Sequence, residues 1–307
     1  MGIAKGAACL LYELKRDHPI GGTILQLGKQ SLYVEADQLP GIAQRFGFTV
    51  DISNISFDET GEYVENTYND TVFFQTLGFQ QVSSLDVNDY EGASIVHDMN
   101  EPISASLSNR FDFVYDGGTL EHIFDLPQCL RNIHALLKVD GLVAHAQVSH
   151  NHLDHGFYMF SPTLFWDYYH ANGYRMLKSY LFEYETEHTA YTANDWLIYD
   201  YKPTDILHIG DGGWGRKRVG IWFVAQKLEH STCDVTPQQG AYMNTWGGTS
   251  SYNPYHTAQQ RTFSSAVKSK LKSLPLVGFL LTRISRHARR FHDHHMAQQR
   301  PPIIARY

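Results

Sequence analysis

One stretch in the middle of the chain limits its fold more than any other. Residues 110–125 read RFDFVYDGGTLEHIFD, an apolar run that changes abruptly to polar residues and glycine at Asp116-Gly117-Gly118 and then resembles a turn into a helix. In open α/β sheets, ligands bind outside the carboxyl ends of parallel strands. We therefore expect this change to mark one edge of a ligand site.

Strands and helices alternate along most of the chain. Buried runs between turn signals predict strands at 23–27, 82–86, 93–98, 111–115, 142–148, 174–185 and 219–227. Helical spacing and capping residues predict helices at 3–17, 37–46, 126–137 and 162–173. This alternation is typical of a mostly parallel sheet covered by helices.

The first three predicted strands end in residues that suit a nucleoside ligand. Gly28 follows the first strand, where glycine lets a ligand approach the backbone, but Lys29, Gln30 and Ser31 stand where further glycines would be expected. The second strand ends in Asp86, and a carboxylate there can accept hydrogen bonds from a ribose diol. The third strand ends in an acid as well. Both acids could instead be ordinary turn residues.

Composition excludes several other classes of protein. The net charge of -7 provides no general attraction to nucleic acid, and three widely spaced cysteines do not form a disulfide framework. The short apolar run at 7–12 is interrupted by charge at once, and nowhere do about 18 apolar residues follow one another. We expect a cytoplasmic protein without a transmembrane segment.

Taken in order, residues 20–228 resemble a class I S-adenosylmethionine-dependent methyltransferase. The most specific match joins FDFVYDGGTLEHI at 111–123 to LLKVDGL at 136–142, and it looks like the fourth motif and the following turn of the small-molecule branch. The segment 155–165 is similar to methyltransferases of glycan and natural-product pathways. The glycine motif at Gly28 is degenerate by comparison with this family.

The resemblance implies a Rossmann-like α/β fold, with a mostly parallel sheet of seven strands, the last one antiparallel, and helices on both faces. Residues 1–230 would form this domain, with a lid insertion at about 186–218. Residues 231–307 would form a C-terminal extension containing a loop and a basic amphipathic helix at 268–290. That helix could pack on its own sheet, on a second subunit or on an anionic membrane surface, so we leave open a homo-oligomer.

The resemblance also implies the positions that hold the cofactor, S-adenosylmethionine. Gly28 would lie against its methionine part and Asp86 would bind the ribose hydroxyls. Asp98 and the backbone of Met99 would meet the adenine. Asp116 and Gly117 would form the floor beneath the sulfonium.

Methyl transfer to a hydroxyl also needs removal of a proton, which histidine or a carboxylate performs best. We favour His155 or His150 as this base, because both fall in the loop after the fifth strand, and His122 is the next candidate. The Glu121-His122 pair could instead only shape the helix entry. The spacing of His150, His152 and His155 could also suit a divalent metal, but loop histidines are more often solvated, so we assign no metal ligands.

The predicted activity is O-methylation of a small polar acceptor, such as a sugar or a glycan or natural-product precursor. The lost glycines motivate an alternative, a catalytically silent methyltransferase-like module that binds or scaffolds a partner. A nicotinamide-dependent oxidoreductase would share the sheet, but this chain lacks the glycine fingerprint of that class. We expect a small-molecule acceptor as partner, and no nucleic acid.

Overall fold

A large sheet dominates the computed structural model, which describes residues 2–52, 69–185, 195–207, 209, 213–240, 242 and 300–307. The strands in this part of the chain are β1 Gly2–Ile3, β2 Gly22–Leu27, β3 Ser31–Leu32, β4 Phe79–Asp86, β5 Ile95–Val96, β6 Phe111–Asp116, β7 Leu137–His150, β8 Arg175–Tyr184, β9 Leu197–Asp200, β10 Arg218–Gln226 and β11 Ile303–Arg306. The α-helices are α1 Lys5–Asp17, α2 Gln38–Arg45, α3 Asp70–Thr76, α4 Leu126–Leu136 and α5 Pro162–Ala171.

Nine of these strands form one sheet in the order β11-β9-β8-β10-β7-β6-β2-β4-β5, while β1 and β3 pair separately. The five adjacent strands β5, β4, β2, β6 and β7 run parallel. If these five are numbered in chain order, their order across the sheet is 3-2-1-4-5. This is the order of doubly wound nucleotide-binding sheets. Strand β10 lies antiparallel between β7 and β8, which confirms the predicted mostly parallel sheet with an antiparallel last strand.

The sheet is larger than predicted, because strands β9 and β11 extend the edge beyond β8. They pair with each other antiparallel. Neither strand was predicted: β9 falls inside the segment expected to be a lid, and β11 is a short run near the C-terminus. Helix α3 also comes from a segment without a clear period.

Helices cover both faces of the sheet. Trp222 and Phe223 are consecutive residues of β10, so their side chains point to opposite faces. Trp222 contacts Tyr115, whose ring packs against Phe74 of α3. Phe223 stacks on Phe165 of α5. Helices α3 and α5 therefore lie on opposite sides, as the alternation of strands and helices predicts.

Helix α4, which follows the Asp-Gly-Gly stretch, is fastened at both ends. At its start the Asp125 carboxylate accepts a hydrogen bond from the Gln128 amide at 3.0 Å and thereby caps the helix. At its end the Lys227 ammonium donates to the carbonyl oxygens of His134 and Leu137, both at 2.8 Å. These bonds satisfy carbonyls that a helix end leaves without partners.

The chain divides into two compact units. The first comprises Met1–Tyr199, Arg216–Pro237 and Ile303–Tyr307, and the second comprises Asp200–Gly215 and Gln238–Pro302. In the second, the Arg300 guanidinium lies 5.2 Å from the centre of the Trp214 ring. The domain boundary near residue 230 stays a prediction. The basic helix predicted at 268–290 lies outside the described residues.

Within the described ranges, the helices are all too short or too polar to cross a membrane.

His134 makes the stability of the fold depend on pH. The Tyr174 hydroxyl lies 2.7 Å from its Nδ1, and burial together with the nearby Lys227 ammonium lowers the pKa of His134 to about 4. Between that value and the ordinary 6.5, the unfolded chain binds a proton that the folded protein does not. The free energy of unfolding should therefore fall as pH decreases from about 6.5 toward 4.

Urea unfolding at pH 7 and pH 4.5 checks this expectation against the His134→Asn variant. The variant should lose less stability between the two pH values than the wild type does, because it has no imidazole to protonate. Equal losses in both proteins would show that His134 makes no contribution.

Candidate active site

The ends of the central strands lie level at the point where the strand order reverses. Leu27 of β2 is paired with Leu85 of β4 on one side and with Asp116 of β6 on the other. The residues that follow these positions, Gly28, Asp86 and Gly117, are thereby brought to one edge of the sheet. Ligands bind at this kind of reversal in open α/β sheets.

Gly28 and Gln30 build the turn after β2. Gly28 has a φ of +67° and donates its amide to the Leu85 carbonyl at 2.8 Å, a conformation that favours glycine. The Gln30 side chain folds back and donates to the Leu27 carbonyl at 2.9 Å. Gln30 stands at a place where further glycine was expected from the sequence, and its amide braces the turn instead.

The Gln30 side chain also lies close to Gly117. A Cβ atom at Gly117 would overlap with Gln30 Oε1 and with the Tyr115 ring, so any larger residue there would displace one of these side chains. Gln30 is 3% exposed, and its Oε1 has no hydrogen-bond partner among the described residues. A buried carbonyl oxygen without a donor is costly, which makes Gln30 a candidate for contact with a positively charged ligand. Sequence reasoning missed it, because it was counted only as a lost glycine.

The predicted adenine and ribose positions lie in short polar turns. Asp86 is partly exposed, and its Oδ1 accepts a hydrogen bond from the adjacent Val87 amide. Asp98 is exposed, and hydrogen bonds from the backbone and side chain of Asn100 lower its pKa. Met99 is buried, and its carbonyl accepts a hydrogen bond from Asn132 at 3.1 Å. These contacts hold the turns; the roles of the three residues toward a cofactor stay predictions.

Asp116 lies at the edge, but its carboxylate is turned into the protein. Oδ1 accepts hydrogen bonds from the amides of Thr119 and Leu120 at 3.0 and 3.3 Å. Oδ2 lies 2.7 Å from His145 Nδ1 and accepts a bond from Gln147 at 2.6 Å. The residue is completely buried. Its carboxylate therefore fixes the turn after β6 from the protein interior. At this position only backbone atoms face a ligand.

The loop after β7 is fastened to the turn after β6. The amides of Phe157 and Tyr158 donate to the Glu121 carbonyl at 2.7 and 3.2 Å. Gly156 permits this approach, because a Cβ atom there would lie 2.7 Å from the same oxygen. The loop thus brings His155 to the 3-10 helix Leu120–His122, although the two lie far apart in sequence.

Glu121, His122 and His155 meet as a cluster, which we call the Glu-His-His cluster. Glu121 Oε1 is 3.4 Å from His155 Nε2 and 3.9 Å from His122 Nε2. The Glu121 side chain is 1% exposed, whereas His155 and His122 are 47% and 40% exposed. A buried carboxylate therefore lies directly behind two imidazoles that an acceptor can reach. Burial lowers the pKa of His122. The neighbouring His155 lowers this pKa further, whereas the Glu121 carboxylate raises it.

His152 and His150 are not members of the cluster, although the His152 ring lies 5.7 Å from the His155 ring. His152 is buried, its Nε2 lies 3.1 Å from the Tyr184 hydroxyl, and burial lowers its pKa to about 4. His150 pairs with Val219 at the far end of β7, five residues beyond the level of Asp116. That distance is roughly 16 Å along an extended strand. The structure therefore brings together His155 and His122, but not His150, in the Glu-His-His cluster.

Apolar side chains lie exposed beside the cluster. Phe124 and Phe157 are 71% and 66% exposed, and their rings meet edge to face at 5.7 Å. Leu153 and Met159, on the same loop, are exposed as well. Exposed apolar residues grouped in this way often mark a binding surface.

No protein-family model and no curated protein matches the chain. Solved structures do resemble it. One is the 1,6-didemethyltoxoflavin-N1-methyltransferase of Burkholderia thailandensis with bound 1,6-didemethyltoxoflavin and S-adenosylhomocysteine, at 14% identity over 73% of this chain and 80% of that one, with a TM-score of 0.39. Another is a SAM-dependent methyltransferase from Archaeoglobus fulgidus, at 13% identity over 71% and 93%, with a TM-score of 0.38.

The sheet itself identifies the fold. Its strand order, its level parallel strand ends and its antiparallel strand β10 are those of a Rossmann-like, mostly parallel α/β sheet.

Asp116→Asn should lower the free energy of unfolding by about 2–4 kcal/mol, because an amide cannot accept hydrogen bonds at both positions and leaves buried donors without a partner. Asp86→Asn at the end of neighbouring β4 is the matched control, with an expected change below about 1 kcal/mol. Urea unfolding at pH 7 measures both. Similar stabilities for the two variants would contradict a bracing role for Asp116.

Proposed function

We propose that the protein is an S-adenosylmethionine-dependent methyltransferase that methylates a hydroxyl oxygen of a small acceptor. One observation carries the proposal: the level strand ends bring Gly28, Asp86 and Gly117 to the reversal point, and the Glu-His-His cluster follows directly on the same turn. The edge of the sheet thus combines positions suited to a nucleoside with groups suited to an acceptor.

The residues at this edge fit the cofactor. Asp86, at the tip of the second parallel strand, has a carboxylate that can accept hydrogen bonds from both ribose hydroxyls. Asp98 and the backbone of Met99 would meet the adenine, and Gly28 the methionine part. The buried Gln30 Oε1 beside Gly117 adds a partial negative charge near the position proposed for the sulfonium. Gln30 thus compensates for the missing glycines.

The chemistry needs little from the protein beyond alignment and proton removal. When bound, the cofactor supplies a methyl group that is already strongly electrophilic. The bond from the acceptor oxygen to the methyl carbon forms as the carbon–sulfur bond breaks, and the hydroxyl proton leaves to a nearby base. His155 is our choice for that base because it is accessible and has Glu121 behind it, and His122 is next. Alignment supplies the remaining acceleration.

The acceptor combines a hydroxyl with an apolar part in this proposal. Phe124, Phe157 and Leu153 lie exposed in the segments that carry the cluster, and such an apolar surface would bind an aromatic ring or a hydrocarbon portion. A glycan or natural-product precursor that carries such a group fits both features. An unsubstituted sugar would leave these side chains in water.

Calorimetry with S-adenosylmethionine and S-adenosylhomocysteine tests the cofactor site. The wild type should bind one equivalent, and Asp86→Ala should weaken binding by about ten- to hundredfold through lost charged hydrogen bonds. Asp89→Ala in the exposed turn beyond β4 is the control and should bind as the wild type does. Absence of binding by the wild type would contradict the enzyme proposal and favour the silent module.

Release of S-adenosylhomocysteine with a panel of phenolic and glycosidic acceptors tests the assignment of the base. His155→Ala should reduce turnover by about a hundredfold or more and leave cofactor affinity nearly intact. His150→Ala is matched in chemistry but lies outside the cluster, so it should retain most of the activity. A loss with His150→Ala and none with His155→Ala would reverse the assignment.

A further inference from the structure

We infer that Glu121, His122 and His155 bind a divalent transition-metal ion, which makes the Glu-His-His cluster a metal centre. The inference deepens the proposed function, since it places the ion at the proposed acceptor site. The observations that support it are contacts within the protein and do not involve the cofactor. One ligand atom from each of the three side chains lies within 4.8 Å of the other two.

The strongest argument is the state of Glu121. Its carboxylate is almost completely buried, and neither of its oxygens has a hydrogen-bond partner among the described residues. Buried carboxylates are normally paired, hydrogen-bonded or bound to metal, because a buried charge without a partner is costly. Asp116 on the same turn shows the contrast, with four donors around its two oxygens.

The spacing of the three groups suits an ion better than direct contact. The imidazole nitrogens lie 3.4 and 3.9 Å from Glu121 Oε1, without hydrogen bonds to it. Two ligands that each lie about 2.1 Å from one zinc ion in tetrahedral geometry are roughly 3.4 Å apart. Small side-chain rotations would therefore place all three atoms around one ion.

The kinds of ligand select the metal. Two imidazoles and one carboxylate favour zinc, iron, cobalt, nickel or manganese over magnesium and calcium, which prefer oxygen ligands throughout. Three protein ligands leave at least one position open, as in catalytic zinc sites. The exposed sides of His122 and His155 make that position accessible to an acceptor hydroxyl.

The protein scaffold holds the cluster in place. Glu121 and His122 belong to the turn that Asp116 braces, and the loop with His155 is fastened to the Glu121 carbonyl by the amides of Phe157 and Tyr158. The pattern of loop histidines in the sequence suggested a different ligand set. His152 instead faces the Tyr184 hydroxyl, and His150 lies farther along β7.

An ion here would replace a free imidazole as the group that activates the acceptor. A hydroxyl bound to a divalent metal has a lowered pKa, so its proton leaves to solvent as the oxygen attacks the methyl carbon and the carbon–sulfur bond breaks. His122 and His155 would then act as ligands, so that His155 would not serve as the base proposed above, and their loss would reduce turnover by removing the ion.

Titration of the chelator-treated, full-length protein with Co²⁺ tests the site by calorimetry and visible absorption, without any methyl donor. The wild type should bind one equivalent of Co²⁺. Glu121→Gln and His155→Ala should each bind it about tenfold more weakly or worse, since even the loss of a residue that only supports a metal ligand changes the affinity that much. His150→Ala should keep this equivalent. Because other histidines occur in the chain, replacement of His292, His294 and His295 by alanine is a second control, and it too should keep the equivalent.

Equal Co²⁺ binding in the wild type, Glu121→Gln and His155→Ala would overturn the inference, as would loss of binding only in the variant without the tail histidines. His155 is exposed, so His155→Ala tests the site even if Glu121→Gln does not fold; circular dichroism checks both. Cofactor calorimetry in the presence of chelator keeps the two questions separate. Metal binding without cofactor binding contradicts the proposed function alone, and the reverse result contradicts the metal centre alone.

Discussion

The rest of the site depends on the hydrogen bonds that the buried Asp116 carboxylate makes. It joins the last residue of β6 to the turn at Thr119 and Leu120 through Oδ1, and to β7 through His145 and Gln147 on the other oxygen. Each bond satisfies a buried polar group that would otherwise be costly. The turn that carries Glu121 and His122 is therefore held by two bonds to a side chain that two further bonds fix to β7.

The same turn serves two sides of the site. Toward β2, Gly117 leaves room for the Gln30 side chain, which braces the turn after Leu27. Toward β7, the Glu121 carbonyl accepts two amides from the loop that carries His155. A single short segment thus links the proposed cofactor edge to the proposed acceptor edge, so the two reactants would be aligned by contacts within a few residues of one another.

Sequence reasoning predicted the framework well, for a clear reason. Seven of the nine strands of the large sheet and helices α1, α2, α4 and α5 have strong periodic patterns and turn signals, and the Asp125 cap is a local feature. Strand β9, strand β11 and helix α3 are short, and their pairing depends on distant residues, so no local pattern indicates them. Gln30 was missed because its side chain acts through contacts that only folding creates.

The sequence alone determined the alternation of strands and helices and the residues at the strand ends, because hydrophobic period and turn chemistry are local properties of the chain. Only the tertiary structure decided which side chains meet. It turned the Asp116 carboxylate inward, left His150 out of the Glu-His-His cluster, and placed His155 beside a Glu121 carboxylate that has no hydrogen-bond partner among the described residues. Those outcomes depend on burial and on contacts between distant segments, which spacing along the chain does not contain.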